Sequence, residues 1–286
     1  MRFPDPPKPF LSVKVKTLQQ TPDLCALCAG YEGQEWRAEG FARHAMEWLL
    51  EFCFPAKELQ TIQSGNMVSL MINAAKIVYQ TPKYKKRGEF GELFLHIALR
   101  QVHQSIPAIT KIFYKDAVNN TVKGFDAVHV VAVGGKLELW LGEAKFYKKA
   151  EEAIRAVIKD IQSHTTIDFM KNEAALIINK LDPEAPHYER LMRLLDSNTS
   201  IDEVFDNACI PVLITYDSAE IEKHSKVTEE YNAAIEEEVM ALRSDFEEKL
   251  KGLSLPIKVY LFLLPLGSKD SLIASMDKKL KAFQSW

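Results

Sequence analysis

Apolar residues in the first part of the chain recur at spacings of three and four, which is the period of an amphipathic helix. The stretch EWRAEGFARHAMEWLLEFCF at 35–54 follows this pattern, and so does MVSLMINAAKIVYQ at 67–80, which stops before Pro82. A proline disfavours the helical conformation in the residue before it, so the second helix is expected to end there. The pattern predicts a largely helical N-terminal region over residues 1–80, packed on a core formed by residues 81–286.

Elsewhere, stretches with a period of two alternate with stretches of helical period. A period of two indicates a strand, and a short uninterrupted apolar run indicates a buried strand. Alternation of helices with strands favours an α/β fold with a mixed sheet and helices on its faces. Strands are predicted at about 10–19, 111–115, 124–133, 136–147, 208–217 and 257–266, and helices at about 89–103, 149–163, 225–252 and from 268 onward.

The long helix predicted over 225–252 carries an apolar stripe on one side and glutamates on the other. Such a stripe is typical of a helix packed on its own core, and an acidic face is typical of contact with water. The same stripe would suit docking on another protein, because the period alone does not separate the two cases. The sequence favours the core and leaves docking open; the stripe consists of Tyr231, Ile235, Leu242, Phe246 and Leu250.

Composition places the chain among globular proteins with a sizeable core. Of its 286 residues, 47% are hydrophobic, which suffices for one large domain or two small ones. The longest apolar run, VYLFLLPL at 259–266, is far shorter than the ~20 residues of a membrane span. The stretch MRFPDPPKPF at 1–10 also lacks the apolar centre of a signal peptide. We therefore expect a cytoplasmic protein with no membrane partner.

The four cysteines suit a reducing compartment, in which thiols stay unpaired. Cys25 and Cys28 in CALC have the spacing of zinc ligands, but no second cysteine pair or histidine cluster follows to complete four ligands. We therefore interpret them as small apolar residues on a helix.

Two glycines at 134–135 separate two of the predicted strands, which is a strong indication of a two-residue hairpin. If those glycines form the loop, Val133 pairs with Lys136, and the residue numbers of every cross-strand pair have the same sum. Continued outward without a bulge, this register places Asp126 directly opposite Glu143. Opposed side chains have Cβ atoms about 4.5–5.5 Å apart, so two acids there need a compensating cation or a raised pKa.

The stretch WLGEAKFY at 140–147 supplies part of that compensation. A period of two places Glu143 and Lys145 on the same face of the sheet, so three ionisable groups converge at one end of the hairpin. Carboxylate oxygens on a rigid hairpin suit a hard cation such as Mg²⁺ or Mn²⁺. Such an ion lowers the pKa of a bound water and neutralises charge on a phosphate. The residues indicate metal-assisted hydrolysis of a phosphodiester, with Lys145 orienting the water or stabilising the phosphate.

A further acid is predicted from the helix GEFGELFLHIALRQVH at 88–103. Its charged residues recur at spacings of three and four and form one polar stripe. An isolated helix would turn this stripe to solvent. Because the helix lies just upstream of the hairpin, it can instead direct Glu92, or as the alternative Glu89, towards the paired carboxylates.

This constellation resembles the PD-(D/E)xK nuclease superfamily, in which a helix glutamate precedes an acid on one strand and Glu-x-Lys on the next. The resemblance assigns these roles to Glu92, Asp126, Glu143 and Lys145. Phe125 stands where a proline often precedes the strand acid. Gln162 on the following helix is similar to an accessory glutamine of the RecB-like branch, although a surface glutamine is the simpler interpretation.

The order of elements resembles the DUF1837 family, whose best-known member is HamA, the nuclease subunit of the Hachiman anti-phage system. The resemblance implies a restriction-endonuclease-like fold and non-specific degradation of DNA, controlled by a helicase subunit named HamB. Its specific residues fall within 87–147, although the layout covers most of the chain.

The net charge of −3 disfavours a protein that passively coats DNA, but local charge differs from the total. Basic residues flank the candidate site in sequence and suit contact with a phosphate backbone. An equally simple interpretation is a solvated surface. These residues are Lys83, Lys85, Lys86, Arg87, Lys148 and Lys149.

Two other classes of function compete with a nuclease. The first is a catalytically silent subunit that keeps the nuclease fold as a docking or DNA-binding platform, which would have no need for opposed carboxylates. The second is a small-molecule enzyme, which is disfavoured because the sequence contains no glycine-rich phosphate loop and no G-x-S-x-G motif.

Overall fold

A computed structural model describes residues 5–18, 21–78, 88–110, 124–133 and 135–285. Its strands are β1 Ser12–Thr17, β2 Asp23–Cys28, β3 Tyr31–Glu32, β4 Glu35–Trp36, β5 Ile106–Ile109, β6 Ala127–Val133, β7 Lys136–Phe146, β8 Ala208–Asp217 and β9 Lys258–Leu266. Its helices are α1 Ala38–Glu47, α2 Leu49–Cys53, α3 Ala56–Leu59, α4 Met67–Val78, α5 Gly88–His103, α6 Ala150–His164, α7 Ile167–Lys180, α8 Tyr188–Leu194, α9 Ile201–Asp206, α10 Ala219–Lys223, α11 Glu229–Lys251 and α12 Lys269–Gln284.

Within these described ranges, seven strands form one central sheet in the order β1-β2-β9-β8-β7-β6-β5. The inner strands β2, β9, β8 and β7 run parallel, whereas β1, β6 and β5 pair antiparallel with their neighbours. Parallel strands need long crossovers, and the helices between them provide these. The predicted α/β class, a mixed central sheet flanked by helices, is therefore confirmed.

Each face of the sheet is covered by a separate group of helices. Helices α1, α2, α4, α5 and α12 bury their apolar residues on one face, which we call the first face. Helices α6, α7, α8, α9 and α11 do so on the second face. Strand β7 serves both, because Trp140 and Phe146 join the first core while Leu139 and Leu141 join the second. Burial of this apolar surface is the main force that holds the layers together.

Helix α11 settles the origin of the apolar stripe seen in the sequence. Its residues Tyr231, Ile235, Phe246 and Leu250 are buried in the second core, as is Val239. The stripe therefore packs in the core of this chain, which is the interpretation that the sequence favours. Docking on another protein is not needed to explain it. Every helix in the described part of the chain is too short or too polar to span a lipid bilayer.

The cysteines correct one prediction about the N-terminal region. Cys25 and Cys28 lie in strand β2 of the central sheet and not on a helix. A strand buried on both faces shows a continuous apolar run, which the period alone does not separate from a buried helix. Both thiols are buried and form no disulfide, and the same holds for Cys53 and Cys209.

Two further predictions concern residues outside the described ranges. The strand predicted at 111–115 lies outside the described residues, and so does the proposed domain boundary near residue 80. The division of the chain at that boundary stays a prediction, although β1 and β2 from residues 1–80 do belong to the central sheet. Strand β5 was not predicted, since four residues carry little periodicity.

Candidate active site

The hairpin of β6 and β7 has the predicted register. Val133 pairs with Lys136, and each further pair steps outward to Ala127 opposite Gly142. Gly135 in the turn has a φ of +79°, a conformation that glycine adopts without steric cost. The turn conformation of Gly135 therefore agrees with the observed register of the hairpin.

Asp126 lies one residue beyond the last pair of this ladder, so its predicted pairing opposite Glu143 is not part of the observed register. Its backbone N–H donates to the carbonyl of Gly142 at 2.8 Å. Its carboxylate oxygen Oδ2 accepts a hydrogen bond from the backbone N–H of Ala144 at 2.9 Å. Since Ala144 stands between Glu143 and Lys145, the carboxylate of Asp126 is fixed beside the backbone that carries both. The hairpin thus brings together the three residues that the sequence predicted to converge there.

Glu143 and Lys145 project from the second face of the sheet, opposite to the face of Ala144 and Phe146. The Glu143 side chain is 3% exposed, and the Lys145 side chain is 13% exposed. Their Oε2 and Nζ atoms are 3.5 Å apart. Burial opposes the charge on Lys145, but the carboxylates of Glu143, Asp160 and Asp126 outweigh it and raise the pKa of the ammonium above its usual value.

Helix α6 adds two residues that the sequence analysis missed. Nδ1 of His164 lies 2.5 Å from Oε1 of Glu143, and Oδ2 of Asp160 lies 2.6 Å from Nζ of Lys145. The two residues are four positions apart, so they lie on one face of the helix. Burial opposes the charge on His164, but the hydrogen bond and charge of Glu143 outweigh it and raise the pKa of the imidazole.

Gln162, the accessory candidate on the same helix, is exposed to solvent. The side chains of α6 that contact the Glu-x-Lys pair are Asp160 and His164 instead. A sequence signal for them existed, because both are polar residues at helical spacing from the apolar Val157 and Ile161, which are buried. A role for Gln162 itself stays a prediction.

A further acid, Glu173 of α7, is buried behind the hairpin. Burial raises the pKa of its carboxyl group, although the backbone N–H of Phe125 partly offsets this effect by donating to it. Gly124 leaves room for this carboxyl group, because a Cβ there would lie 2.9 Å from Oε2 of Glu173. The acid therefore packs against the segment that leads into Asp126.

The helix glutamates lie near the same end of β7. A Cβ at Gly91 of α5 would lie 3.1 Å from Cβ of Phe146 and 3.5 Å from Cβ of Ala144, so the helix touches this strand closely. Helix α5 contacts β7 on the first face of the sheet, whereas the side chains of Glu143 and Lys145 lie on the second face. Glu92 and Glu89 are both half-buried. Their assignment to the site stays a prediction.

A groove of about 1130 Å³ opens beside Lys145 at the carboxyl end of β7. Lys148 and Lys149 line it, paired with Asp270 at 2.5 Å and Glu152 at 3.4 Å. Lys269 of α12 lines it as well. The basic residues Lys83, Lys85, Lys86 and Arg87 lie outside the described residues, and Gly88, which follows them, lines the groove.

Comparison with known proteins adds the family. The HamA family model matches residues 8–280, nearly the whole chain. The chain belongs to the HamA family. No curated protein matches it. Membership supports a role as a subunit of the Hachiman defence system, which has other subunits. The resemblance to the HamA family inferred from the layout of elements is thereby confirmed.

The residues of this HamA-family chain fit a divalent cation by the kind of donor they offer. Asp126 and Glu143 present carboxylate oxygens, which hard cations prefer. Within the described ranges, no group of three or more histidine, cysteine, aspartate or glutamate side chains is arranged to hold a metal. Mg²⁺ is commonly held by one or two carboxylates, with waters and substrate phosphate completing its shell. Two acids are therefore a sufficient protein contribution.

Proposed function

We propose that this chain is a metal-dependent nuclease that hydrolyses DNA phosphodiester bonds. In this proposal it is the effector subunit of a cytoplasmic Hachiman complex, restrained by a helicase partner of the HamB type. One observation carries the proposal: two acids and an ammonium group meet at the end of a hairpin, and the ammonium group, that of Lys145, lines a groove with further lysines on its wall. That combination resembles the PD-(D/E)xK arrangement found in the sequence.

Asp126 and Glu143 would hold the cation, Mg²⁺ or alternatively Mn²⁺, with Glu92 or Glu89 as a further ligand. When bound, the ion would supply a Lewis acid for a phosphate oxygen and a bound water with a lowered pKa. The Ala144 N–H and the His164 imidazole each hold one oxygen of these two carboxylates in place. The protein thus orients its ligands before the substrate arrives.

Lys145 would act as a cation and not as a proton acceptor. Because its pKa is raised, its ammonium stays charged at neutral pH. Asp160 and Glu143 fix Nζ from two sides, at 2.6 Å and 3.5 Å. From this position the ammonium can orient a water molecule or offset the charge that develops on the phosphate.

The groove would take the sugar-phosphate backbone of the DNA. Lys148 and Lys149 on its wall, together with Lys85, Lys86 and Arg87, would contact phosphates and not bases. Such contacts carry no sequence information, which suits non-specific degradation.

The test uses the purified full-length chain with plasmid and linear DNA, and with RNA of the same sequence. Each substrate is incubated with Mg²⁺, with Mn²⁺ or with a chelator. We expect metal-dependent cleavage of DNA, which falls by at least about 100-fold in Glu143→Ala and in Lys145→Ala, because each removes charge at the reacting phosphate.

The matched control is Glu138→Ala, which removes a glutamate from the same strand near the hairpin turn, where it pairs with Lys258. It should retain activity. Cleavage that survives Glu143→Ala and Lys145→Ala would assign the activity to another site. Absence of cleavage and of metal binding, with and without the helicase and ATP, would favour the alternative of a silent platform.

The partner is tested by co-expression with the helicase encoded in the same defence system. We expect the two chains to co-purify and DNA cleavage by the complex to depend on ATP. A helicase that neither binds the chain nor changes its cleavage would remove this part of the proposal.

A further inference from the structure

His164 contacts both strands of the candidate site. Its Nδ1 lies 2.5 Å from the carboxylate of Glu143 on β7. Its ring also meets the edge of Phe125, the residue before Asp126, with centroids 5.2 Å apart and planes 72° apart. On its other side it stacks on Phe169 of α7, with centroids 4.2 Å apart and planes 13° apart. Two aromatic rings therefore fix the orientation of the imidazole.

The hydrogen bond to Glu143 has a defined direction. A carboxylate only accepts hydrogen bonds, so Nδ1 of His164 carries the hydrogen and donates it. Oε1 of Glu143 is thereby occupied, and Oε2 lies on the side of the Lys145 ammonium. The side chain of Glu143 is almost fully buried, so it has little freedom to choose another orientation.

We propose that His164 is a positioning residue that orients the Glu143 carboxylate for a divalent cation, with Phe125 and Phe169 holding its ring. This inference rests on the proposed function. It also gives a role to Phe125, which stands where the superfamily often has a proline. The Phe125 ring packs on His164, and it thereby connects the segment of Asp126 to the residue that contacts Glu143. Groups that hydrogen-bond to metal ligands commonly change metal affinity by about 10- to 100-fold when they are removed.

The experiment measures Mn²⁺ binding to the full-length chain by electron paramagnetic resonance of the free ion, without DNA. In parallel, DNA cleavage is followed as a function of Mg²⁺ concentration. The variants are His164→Leu, which removes the donor and keeps an apolar side chain, and His164→Asn, whose amide can donate from a similar position. Ser163→Ala is the matched control, because the hydroxyl of this exposed neighbour donates to the backbone carbonyl of Asp160 within the same helix.

We expect His164→Leu to weaken Mn²⁺ binding by about 10- to 100-fold. The Mg²⁺ concentration for half-maximal cleavage should rise by a similar factor, while the KM for DNA changes less than about twofold. His164→Asn should recover most of the loss, and Ser163→Ala should match the natural chain. Phe169→Leu should weaken binding several-fold, because the imidazole loses its stacked neighbour.

Mn²⁺ binding by His164→Leu that equals or exceeds that of the natural chain would overturn the inference, while the nuclease proposal would stand. Weak binding in both His164 variants together with a lowered melting temperature would make His164 a folding residue and would also overturn it. A natural chain that neither binds Mn²⁺ nor cleaves DNA would overturn both proposals, so the two failures are distinguishable.

Discussion

Two clusters of charged and polar side chains flank the same sheet, and they differ in their access to solvent. The enclosed cluster lies on the first face, between α2, α5 and the outer strands. The open cluster lies on the second face, and its Lys145 reaches the groove at the carboxyl end of β7. The enclosed cluster comprises Glu51, His96, Arg100, Ser105 and His129, and the open cluster comprises Asp126, Glu143, Lys145, Asp160 and His164.

The enclosed cluster is held together by hydrogen bonds between its own members. Arg100 donates to both carboxylate oxygens of Glu51 and to the carbonyl of Ser105, and the Ser105 hydroxyl contacts Nδ1 of His129 at 2.9 Å. All five residues are buried. Burial opposes the charge on Glu51, but neighbouring His96 and Arg100 outweigh it and lower the pKa of the carboxyl group. Such a network holds α2, α5 and β6 together.

The open cluster has the same kinds of residues, but part of it is exposed to solvent. The Asp160 side chain is 37% exposed, and Lys145 reaches the wall of the groove. A buried charge by itself therefore does not mark a functional site, because an enclosed structural network also perturbs pKa values. The open cluster reaches a groove through Lys145, whereas no member of the enclosed cluster lines that groove, and this distinguishes the two clusters.

The largest expected contrast comes from removing one cation from each cluster. Arg100→Met should lower the free energy of unfolding by about 3–5 kcal/mol, because the buried Glu51 loses the guanidinium that donates to both its oxygens and keeps His96 at 3.3 Å, and the Ser105 carbonyl loses its donor. Lys145→Met should lower it by less than about 2 kcal/mol, because Glu143 keeps His164 and the groove admits water. Urea unfolding of both variants measures the difference. Equal losses would show that the two clusters are not energetically distinct.

Acid should destabilise the packing on the first face of the sheet. Burial lowers the pKa of His103 to about 4, and burial with the nearby charges of His96 and Arg100 places the pKa of His129 well below its usual value. Unfolded histidines bind protons below about pH 6.5. The stability gained by burying these histidines in the neutral form is therefore fully present above that pH. It is lost as pH falls towards 4, and for His103 the free energy of unfolding falls by about 2–3 kcal/mol.

Urea unfolding between pH 7.5 and pH 4.5 measures this loss. His103→Gln should show a shallower decline than the natural chain, because the substituted residue does not titrate. A decline of unchanged slope in that variant would assign the acid sensitivity to other groups.

A smaller effect is expected when the charge on Asp160 is removed. Asp160→Asn keeps an oxygen that can accept from Lys145 but no longer fixes the ammonium by charge. We expect the rate of DNA cleavage to fall by about 10-fold, or about 1.4 kcal/mol, with little change in KM. Asp168→Asn, the same change at an exposed position of α7, is the control. An unchanged cleavage rate in Asp160→Asn would show that the contact between Asp160 and Lys145 does not contribute to cleavage.

The smallest effect concerns the wall of the groove. The Lys149 side chain is 71% exposed and pairs only weakly with Glu152 at the surface. Lys149→Ala should leave stability unchanged and reduce the salt dependence of DNA binding by about one counterion. Fluorescence anisotropy at several salt concentrations, with chelator present, measures the slope. Lys251→Ala, an exposed lysine at the end of α11, should leave it unaltered.

Local patterns predicted a large part of the fold. The hairpin register follows from the glycines at 134–135, and β8 has the predicted bounds because its apolar run has clear ends. Helices α6 and α11 follow from their period. The helix predicted at Cys25 and Cys28 is wrong, since they lie in strand β2, and no pattern predicts the four-residue β5, because short apolar runs lack a decisive period.

For this protein, the sequence by itself determined the convergence of Asp126, Glu143 and Lys145, because strand pairing and alternation are local rules. Only the tertiary structure decided that Asp160 and His164 complete the cluster and that α5 lies on the other face. Those contacts depend on how helices pack across the sheet, and packing sums many weak, non-directional apolar contacts that no short stretch encodes. The groove beside Lys145 is likewise formed by elements far apart in the chain.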